Sequence, residues 1–114
     1  NVAAISINKT FIGINSVIVA TNGITIKQDC LIAEMVVIRA QDHILKKGVS
    51  ITNSGLKDDF IVINENVWLA AKCTILRGSE IESGVVVGAN SVVKGKLEAN
   101  TVYAGIPSQK IYTY

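Results

Sequence analysis

The 114-residue chain has few of the residues that cross-link a protein or give it a strong charge. It contains one proline and one histidine, and its two cysteines are too few for a secreted disulfide framework. Its net charge of +2 is too small and too evenly spread to indicate nucleic acid or a membrane surface as a partner. No apolar run approaches the roughly 20 residues that span a bilayer, and no leader-like segment opens the chain. We therefore expect no membrane span and a reducing, cytoplasmic location.

The rest of the composition is mainly aliphatic. Hydrophobic residues make up 49% of the chain and charged residues only 18%, which excludes disorder and predicts a well-packed body. The length predicts a single domain over residues 1–114. Because Asn1 already lies in repeat-like sequence, we expect the chain to begin at a truncated or processed end.

An aliphatic residue recurs at every sixth position. The eleven positions are Ile12, Ile18, Ile26, Ile32, Ile38, Ile63, Leu69, Ile75, Ile81, Val87 and Val93. Such a period fits neither an α-helix nor a series of ordinary hairpins, and it indicates an internal repeat. The fifth position of each hexad is small or β-branched, as at Ser16, Cys30, Val36, Val67, Cys73, Ser79, Val85 and Ser91. These residues are predicted to point inward at corners, so the two cysteines are interpreted as buried packing residues rather than redox or metal sites.

Three such segments would close a triangular coil of eighteen residues. Successive coils would stack at the strand spacing of about 4.8 Å, with the aliphatic residues inside. Ile63, Ile81 and Ala99 are predicted to begin three successive coils. The fold class is therefore all-β, a parallel β-helix built from hexapeptide repeats.

The repeat is interrupted at two places. Two extra residues lie between Ile18 and Ile26, where Asn22 and Gly23 predict a turn. Nineteen extra residues, 43–61, lie between Ile38 and Ile63, and they predict one protruding loop of the kind that often carries function. A C-terminal tail, 99–114, follows the last regular hexad.

Three stretches give the repeat a family resemblance. The segments "VWLAAKCTI", "VVVGANSVVKG" and "NTVYAGIPSQKI" follow one another in the chain. They resemble the hexapeptide-repeat acyltransferases, which have a left-handed β-helix, and the resemblance extends from about Ile12 to Ile111. The most similar branch is the O-acetyltransferases of small molecules and polysaccharides, which use acetyl-coenzyme A and work as trimers. The resemblance implies an acetyl-coenzyme A-dependent O-acetyltransferase, a homotrimer with sites at its subunit interfaces, whose acceptor is a sugar or a capsular or surface polysaccharide.

His43, the only histidine, is predicted to be the general base. It adjoins Asp42, and "IRAQDH" resembles the family stretch that ends in the catalytic histidine. An imidazole, with an ordinary pKa of about 6.5, suits proton removal from a hydroxyl near neutral pH. The family branch often reads Asp-Ser-Asp-Gly-His at this place, and the first acid and the glycine are absent here. Whether Asp42 orients His43 therefore stays open, and so does the simpler interpretation of His43 as an exposed residue at a loop base.

The resemblance also implies further site residues. Trp68 is expected to point outward and to share a cleft with His43 across a subunit boundary, although subunit packing explains an outward tryptophan equally well. The positions that match the coenzyme-binding motifs are Ala71, Ala89, Lys94, Pro107 and Lys110. Small residues let the pantetheine approach the backbone, and a lysine reaches phosphate. For Lys94 and Lys110 a role as solvated surface charge stays open.

The same kind of repeat could serve other functions. A carbonic anhydrase of this fold needs three histidines around zinc, and this chain has one, so no metal site is predicted. A non-catalytic β-solenoid that binds a ligand or supports an assembly remains the main alternative. An acetyltransferase that acts on serine, on a xenobiotic or on an amino sugar also stays open as an alternative.

Overall fold

A computed structural model describes residues 4–114 as a stack of short strands. The strands are β1 (Ile5–Ile7), β2 (Phe11–Ile12), β3 (Val17–Val19), β4 (Ile24–Ile26), β5 (Leu31–Ile32), β6 (Val37–Arg39), β7 (Gln41–His43), β8 (Leu56–Asp58), β9 (Ile61–Ile63), β10 (Trp68–Leu69), β11 (Thr74–Ile75), β12 (Glu80–Ile81), β13 (Val86–Val87), β14 (Val92–Val93), β15 (Lys96–Leu97), β16 (Thr101–Gly105) and β17 (Ser108–Thr113). A 3-10 helix, Ile51–Asn53, lies between β7 and β8.

Successive strands of the body belong to three different sheets, so the chain winds around a three-sided coil. Face A has the order β1-β4-β9-β12-β15, face B has β17-β16-β13-β10-β5-β2, and face C has β14-β11-β6-β3. Pairing within each face is parallel, except for β17, which runs antiparallel to β16. In the regular part, Ile63 pairs with Ile81 and Leu69 with Val87, which gives the predicted eighteen residues per coil.

The predicted aliphatic positions form the core. From Ile26 to Val93 each of them is at most 1% exposed, and Ile12 and Ile18 pack partly buried against this core. The fifth positions from Cys30 to Ser91 are buried as well. Both cysteines are free thiols, and burial raises the pKa of each, for Cys73 to about 12. The interpretation of the cysteines as buried corner residues is confirmed.

The corners need backbone conformations that most residues avoid. Asn66, Lys72 and Asn90 have φ values of 56°, 61° and 60°, in the left-handed region. Asparagine tolerates this region better than most residues, which explains its repeated use at these turns.

The coils differ in length at the two ends of the body. Near the N-terminus Ile12 pairs with Ile32, twenty residues later, because of the insertion beside Asn22. At the other end Ile81 pairs with Leu97, sixteen residues later. The prediction that Ala99 begins the last coil is therefore wrong. The chain turns sharply at Gly95, with φ +87°, and this places buried Leu97 in the core position two residues early.

The nineteen-residue insertion is a hairpin rather than an irregular loop. Its strands β7 and β8 pair antiparallel, with Gln41 opposite Asp58 and His43 opposite Leu56. We call residues 41–58 the arm. Ile61, which the predicted loop 43–61 included, begins β9, pairs with Ile24 and is fully buried. The body therefore resumes before the predicted end of the loop.

The tail folds back on the body. Strand β16 continues face B beside β13, and β17 returns along it after a turn at Ile106 and Pro107. The last residue, Tyr114, donates its backbone N–H to the Asn100 carbonyl. Within residues 4–114 no helix has the length and apolar character that a membrane crossing requires.

Candidate active site

The arm leaves the body at the corner between faces C and A and is fastened there by one arginine. Arg77 lies in the turn between β11 and β12. Its Nε donates to Asp42 Oδ2 at 2.7 Å, and its Nη1 donates to Asp59 Oδ2. Asp42 belongs to the outgoing strand of the arm, and Asp59 directly follows the returning strand. One guanidinium therefore joins both strands of the arm to the coil.

The backbone reinforces this attachment. Asp59 N donates to the Ala40 carbonyl at 3.0 Å, which closes the base of the hairpin. Ala40 is buried, so the outgoing strand starts from a fixed point. The hydrogen bond to Asp59, followed by that to Asp42, raises the pKa of Arg77, and the guanidinium remains charged at any physiological pH.

His43 lies one residue beyond this attachment. It is exposed and lines an open concavity of about 540 Å³ together with Asp42, Ile44, Leu45, Lys57 and Arg77. An exposed imidazole in such a cleft can take a proton from a hydroxyl that enters from solvent.

Asp42 is not the orienting partner of His43 in this structure. Its carboxylate accepts the hydrogen bond from Arg77 Nε. Neighbouring residues of a strand point to opposite sides, which explains why Asp42 turns to the body when His43 does not. Asp42 therefore contributes to the attachment of the arm, next to His43.

Trp68 lies on a different side of the molecule, in β10 on face B. It is 49% exposed, so the outward orientation expected from the sequence is confirmed. Its partners in the sheet are also apolar and point outward. The row runs Phe11, Leu31, Trp68, Val86, Val102 and Tyr112, each paired with the next. Within one chain Trp68 and His43 therefore do not form a single cleft.

Three of the five predicted coenzyme positions lie near the corner between faces B and C. Ala71 and Ala89 occupy equivalent turns in successive coils, and Asn90 N donates to the Ala71 carbonyl at 3.0 Å. A Cβ atom at Gly88 would lie 3.1 Å from Ala104 Cβ, so the strand that leads to Pro107 runs beside this corner. Small side chains leave the backbone of both turns accessible.

The two predicted lysines lie apart from this group. Lys94 is exposed and follows β14, at the corner between faces C and A. The arm leaves from the same corner two coils earlier, after β6. Lys110 is exposed in β17, opposite Tyr103 on face B. The predicted site residues are thus spread over two corners and one face of the chain.

Arg77 and Lys57 were not predicted as site residues. Arg77 has no special place in the hexad pattern, since corner residues of any polar type fit there. Lys57 reaches the cavity only because β8 pairs with β7, and that register is set by the hairpin fold. The only available signal was the proximity of Lys57 in sequence to two aspartates at the loop end.

Comparisons with known proteins agree with this architecture. The family model for bacterial transferase hexapeptide repeats (six repeats) matches residues 60–95. A putative lipopolysaccharide biosynthesis O-acetyltransferase of Escherichia coli K12 is 38% identical over 105 residues, which cover 85% of this chain and 54% of that protein. Residues 60–95 thus match the hexapeptide repeats of this transferase family.

Two further proteins are similar along most of the chain. The galactoside O-acetyltransferase of E. coli K12 is 31% identical over 97 residues, covering 85% of this chain and 47% of that protein. A hexapeptide-repeat acetyltransferase of Vibrio cholerae, solved with acetyl-coenzyme A, superposes with a TM-score of 0.87, at 28% identity over 96% of this chain and 60% of that one. This likeness confirms the predicted left-handed parallel β-helix. The chain spans about half the length of the curated relatives it matches.

Proposed function

We propose that this chain is the β-helical part of an acetyl-coenzyme A-dependent O-acetyltransferase that modifies a hydroxyl of a sugar or of a capsular or surface polysaccharide. The observation that carries the proposal is the position of His43, in an open cavity at the base of the arm. The similar proteins named as lipopolysaccharide and galactoside O-acetyltransferases support a sugar acceptor. A cytoplasmic location is part of the proposal because both cysteines are free thiols, the form favoured in reducing compartments.

His43 would act as general base. As the acceptor oxygen attacks the thioester carbonyl, the imidazole takes the hydroxyl proton, and a C–O bond forms. The tetrahedral intermediate then collapses, the C–S bond breaks, and the proton passes from the imidazolium to the departing thiolate. No covalent enzyme intermediate is required, because the thioester is already activated.

The coenzyme would lie along the corner between faces B and C. Ala71 and Ala89 leave room for the pantetheine, and Pro107 lies near the adenine end. Lys110, on face B, is the residue proposed to reach its phosphates, and Lys94, at the corner between faces C and A, would contact them only from a neighbouring subunit. The V. cholerae structure with bound acetyl-coenzyme A supports acetyl-coenzyme A as the co-substrate.

A homotrimer would bring these separate regions together. In one chain four residues of the apolar row on face B are exposed, Phe11, Leu31, Trp68 and Tyr112, and an apolar row of this length is costly to leave in water. Contact between face B of one subunit and the arm side of the next would cover Trp68 and place it near His43 of the neighbour. Trp68 would then serve both in packing and at the site.

The decisive experiment measures release of coenzyme A thiol with acetyl-coenzyme A and a panel of sugars. His43→Ala is expected to lower kcat by about 10²–10⁴, the usual effect of losing a positioned base. Asn53→Ala, at the exposed tip of the same arm, is the matched control and should retain wild-type turnover. Full activity of His43→Ala would refute the base assignment and favour the non-catalytic solenoid.

The trimer is tested separately by light scattering at micromolar concentration. The wild-type protein should have three times the mass of one chain, and Trp68→Glu should dissociate it because a carboxylate would be buried in an apolar contact. A monomeric wild-type protein would exclude the shared site.

A further inference from the structure

One lysine of the cavity indicates the chemical class of the acceptor. We propose that the acceptor carries a negative charge, a carboxylate or a phosphate, close to the hydroxyl that is acetylated, and that Lys57 binds this charge. The inference rests on the proposed O-acetyltransferase function and makes it more specific.

The arm beyond its attachment is basic. Residues 43–57 contain Lys46, Lys47 and Lys57 and no aspartate or glutamate. All three lysines are exposed. By contrast, the chain as a whole is nearly balanced, with 11 basic and 9 acidic residues. Asp42, Asp58 and Asp59 at the base of the arm equal these three lysines in number, so what matters is which of the charges are paired.

Lys57 is the cation of the cavity that has no acidic partner. Arg77 already forms ion pairs with two carboxylates, those of Asp42 and Asp59. Asp42 lies directly opposite Lys57 in the arm, yet its carboxylate is engaged by Arg77. The ion pairs found within residues 4–114 involve Lys27, Arg77 and Lys96 as the basic partners, and Lys57 takes part in none of them.

Lys57 brings a positive charge to the cavity that also holds the proposed base, His43, since both residues line it. Because Lys57 is paired with Asp42, its side chain starts from the Asp42 side of the hairpin, and its long flexible stem rather than a shared face brings it to the cavity. A lysine is a compact charge on a flexible stem, and it forms charge-assisted hydrogen bonds with carboxylate or phosphate. A hydroxyl held at His43 would therefore have an anionic group of the same acceptor within reach of Lys57.

A second surface could also attract anions. The tip of the arm combines Lys46 and Lys47 with exposed Leu45, Val49 and Ile51, which is a composition that also suits an anionic membrane surface. The acceptor interpretation is favoured because Lys57 lies in the cavity itself, whereas the tip lysines do not line it. Membrane binding is accordingly an outcome of the test.

The test compares binding and turnover for matched neutral and acidic acceptors. Probes are oligosaccharides that differ only in a glucose or glucuronate unit, or in the presence of a phosphate. Wild-type protein should bind the acidic member about tenfold more tightly at low salt, equivalent to about 1.4 kcal/mol. The preference should shrink as ionic strength rises to about 0.3 M, because exposed charges are screened.

Lys57→Gln should remove this preference, while Lys9→Gln, an exposed lysine distant in the fold, should retain it. Both variants should bind coenzyme A as the wild type does. Equal binding of neutral and acidic probes by the wild type, or an unchanged preference in Lys57→Gln, would overturn the inference. So would binding to phosphatidylglycerol vesicles without any charge preference among the sugars. An acidic preference without any acetyl transfer would instead contradict the proposed function and leave the binding site standing.

Discussion

The regular coils and the arm are stabilised in different ways. In residues 61–87, every strand pairs on both sides and the inward residues are buried. The arm is a two-stranded hairpin with exposed Leu45, Val49 and Leu56. It is held by a short ladder and by the ion pairs of Arg77. The body therefore depends on hydrophobic burial, whereas the arm depends on hydrogen bonds and charge.

This difference separates folding from chemistry. A two-stranded hairpin is marginal in water unless it is attached to a larger structure. The coils supply that attachment, and the arm contributes little to the core in return. Substitutions in the arm should accordingly change the proposed reaction without changing stability, and substitutions in the coils should do the reverse.

The largest effect on stability is expected in the coils. Ile75→Ala should lower the free energy of unfolding by about 2–5 kcal/mol, because Ile75 is fully buried and its truncation leaves a cavity. Leu45→Ala, in the arm, should change it by less than about 0.5 kcal/mol, since Leu45 is 79% exposed. Denaturant unfolding followed by circular dichroism measures both. Similar losses for the two variants would show that the arm is part of the cooperative core.

The next largest effect is expected on the efficiency of the proposed reaction. Replacing residues 46–54 by Asn-Gly keeps His43 and its strand pairing but removes the tip of the arm. The efficiency kcat/KM for the acceptor should fall by up to about 10², the cost of misplaced reacting groups. Coenzyme A affinity, measured by calorimetry, should stay at the wild-type value. Loss of coenzyme binding would place the arm on the coenzyme side instead.

The sequence predicted the coils better than the arm for a physical reason. Burial imposes an aliphatic residue at each sixth position, as at Ile63, Leu69 and Ile75, so the pattern is visible in one sequence. The ion pairs of Arg77 join residues that are distant in the chain, and nothing in the local sequence indicates them. The early return of Leu97 to the core was missed because Ala99 fits the period of six and only the turn at Gly95 shortens the coil.

A smaller effect, on the hydrogen exchange of the arm, is expected from a substitution at its base. Arg77→Met should raise the hydrogen-exchange rates of amides in the arm, because both ion pairs to its strands are lost. Amides of β11 and β13 should keep their protection. Arg39→Met, an exposed arginine that forms no ion pair within residues 4–114, is the matched control. Unchanged exchange in the arm of Arg77→Met would show that the hairpin ladder alone fixes it.

The smallest effect is expected at a thiol of the core. Burial raises the pKa of Cys73 to about 12, so the native protein keeps this thiol protonated. Because the folded-state pKa lies above the ordinary thiol pKa of about 9, its contribution to the free energy of unfolding is fully present below pH 9. That contribution is lost as the pH rises towards 12. At pH 8 an aromatic disulfide reagent should leave native Cys73 unmodified over hours and react at once in guanidinium. Ser50→Cys, exposed on the arm, should add one thiol that reacts rapidly in the native state. Rapid reaction of Cys73 in the native protein would mean that the coils open far more readily than their burial implies.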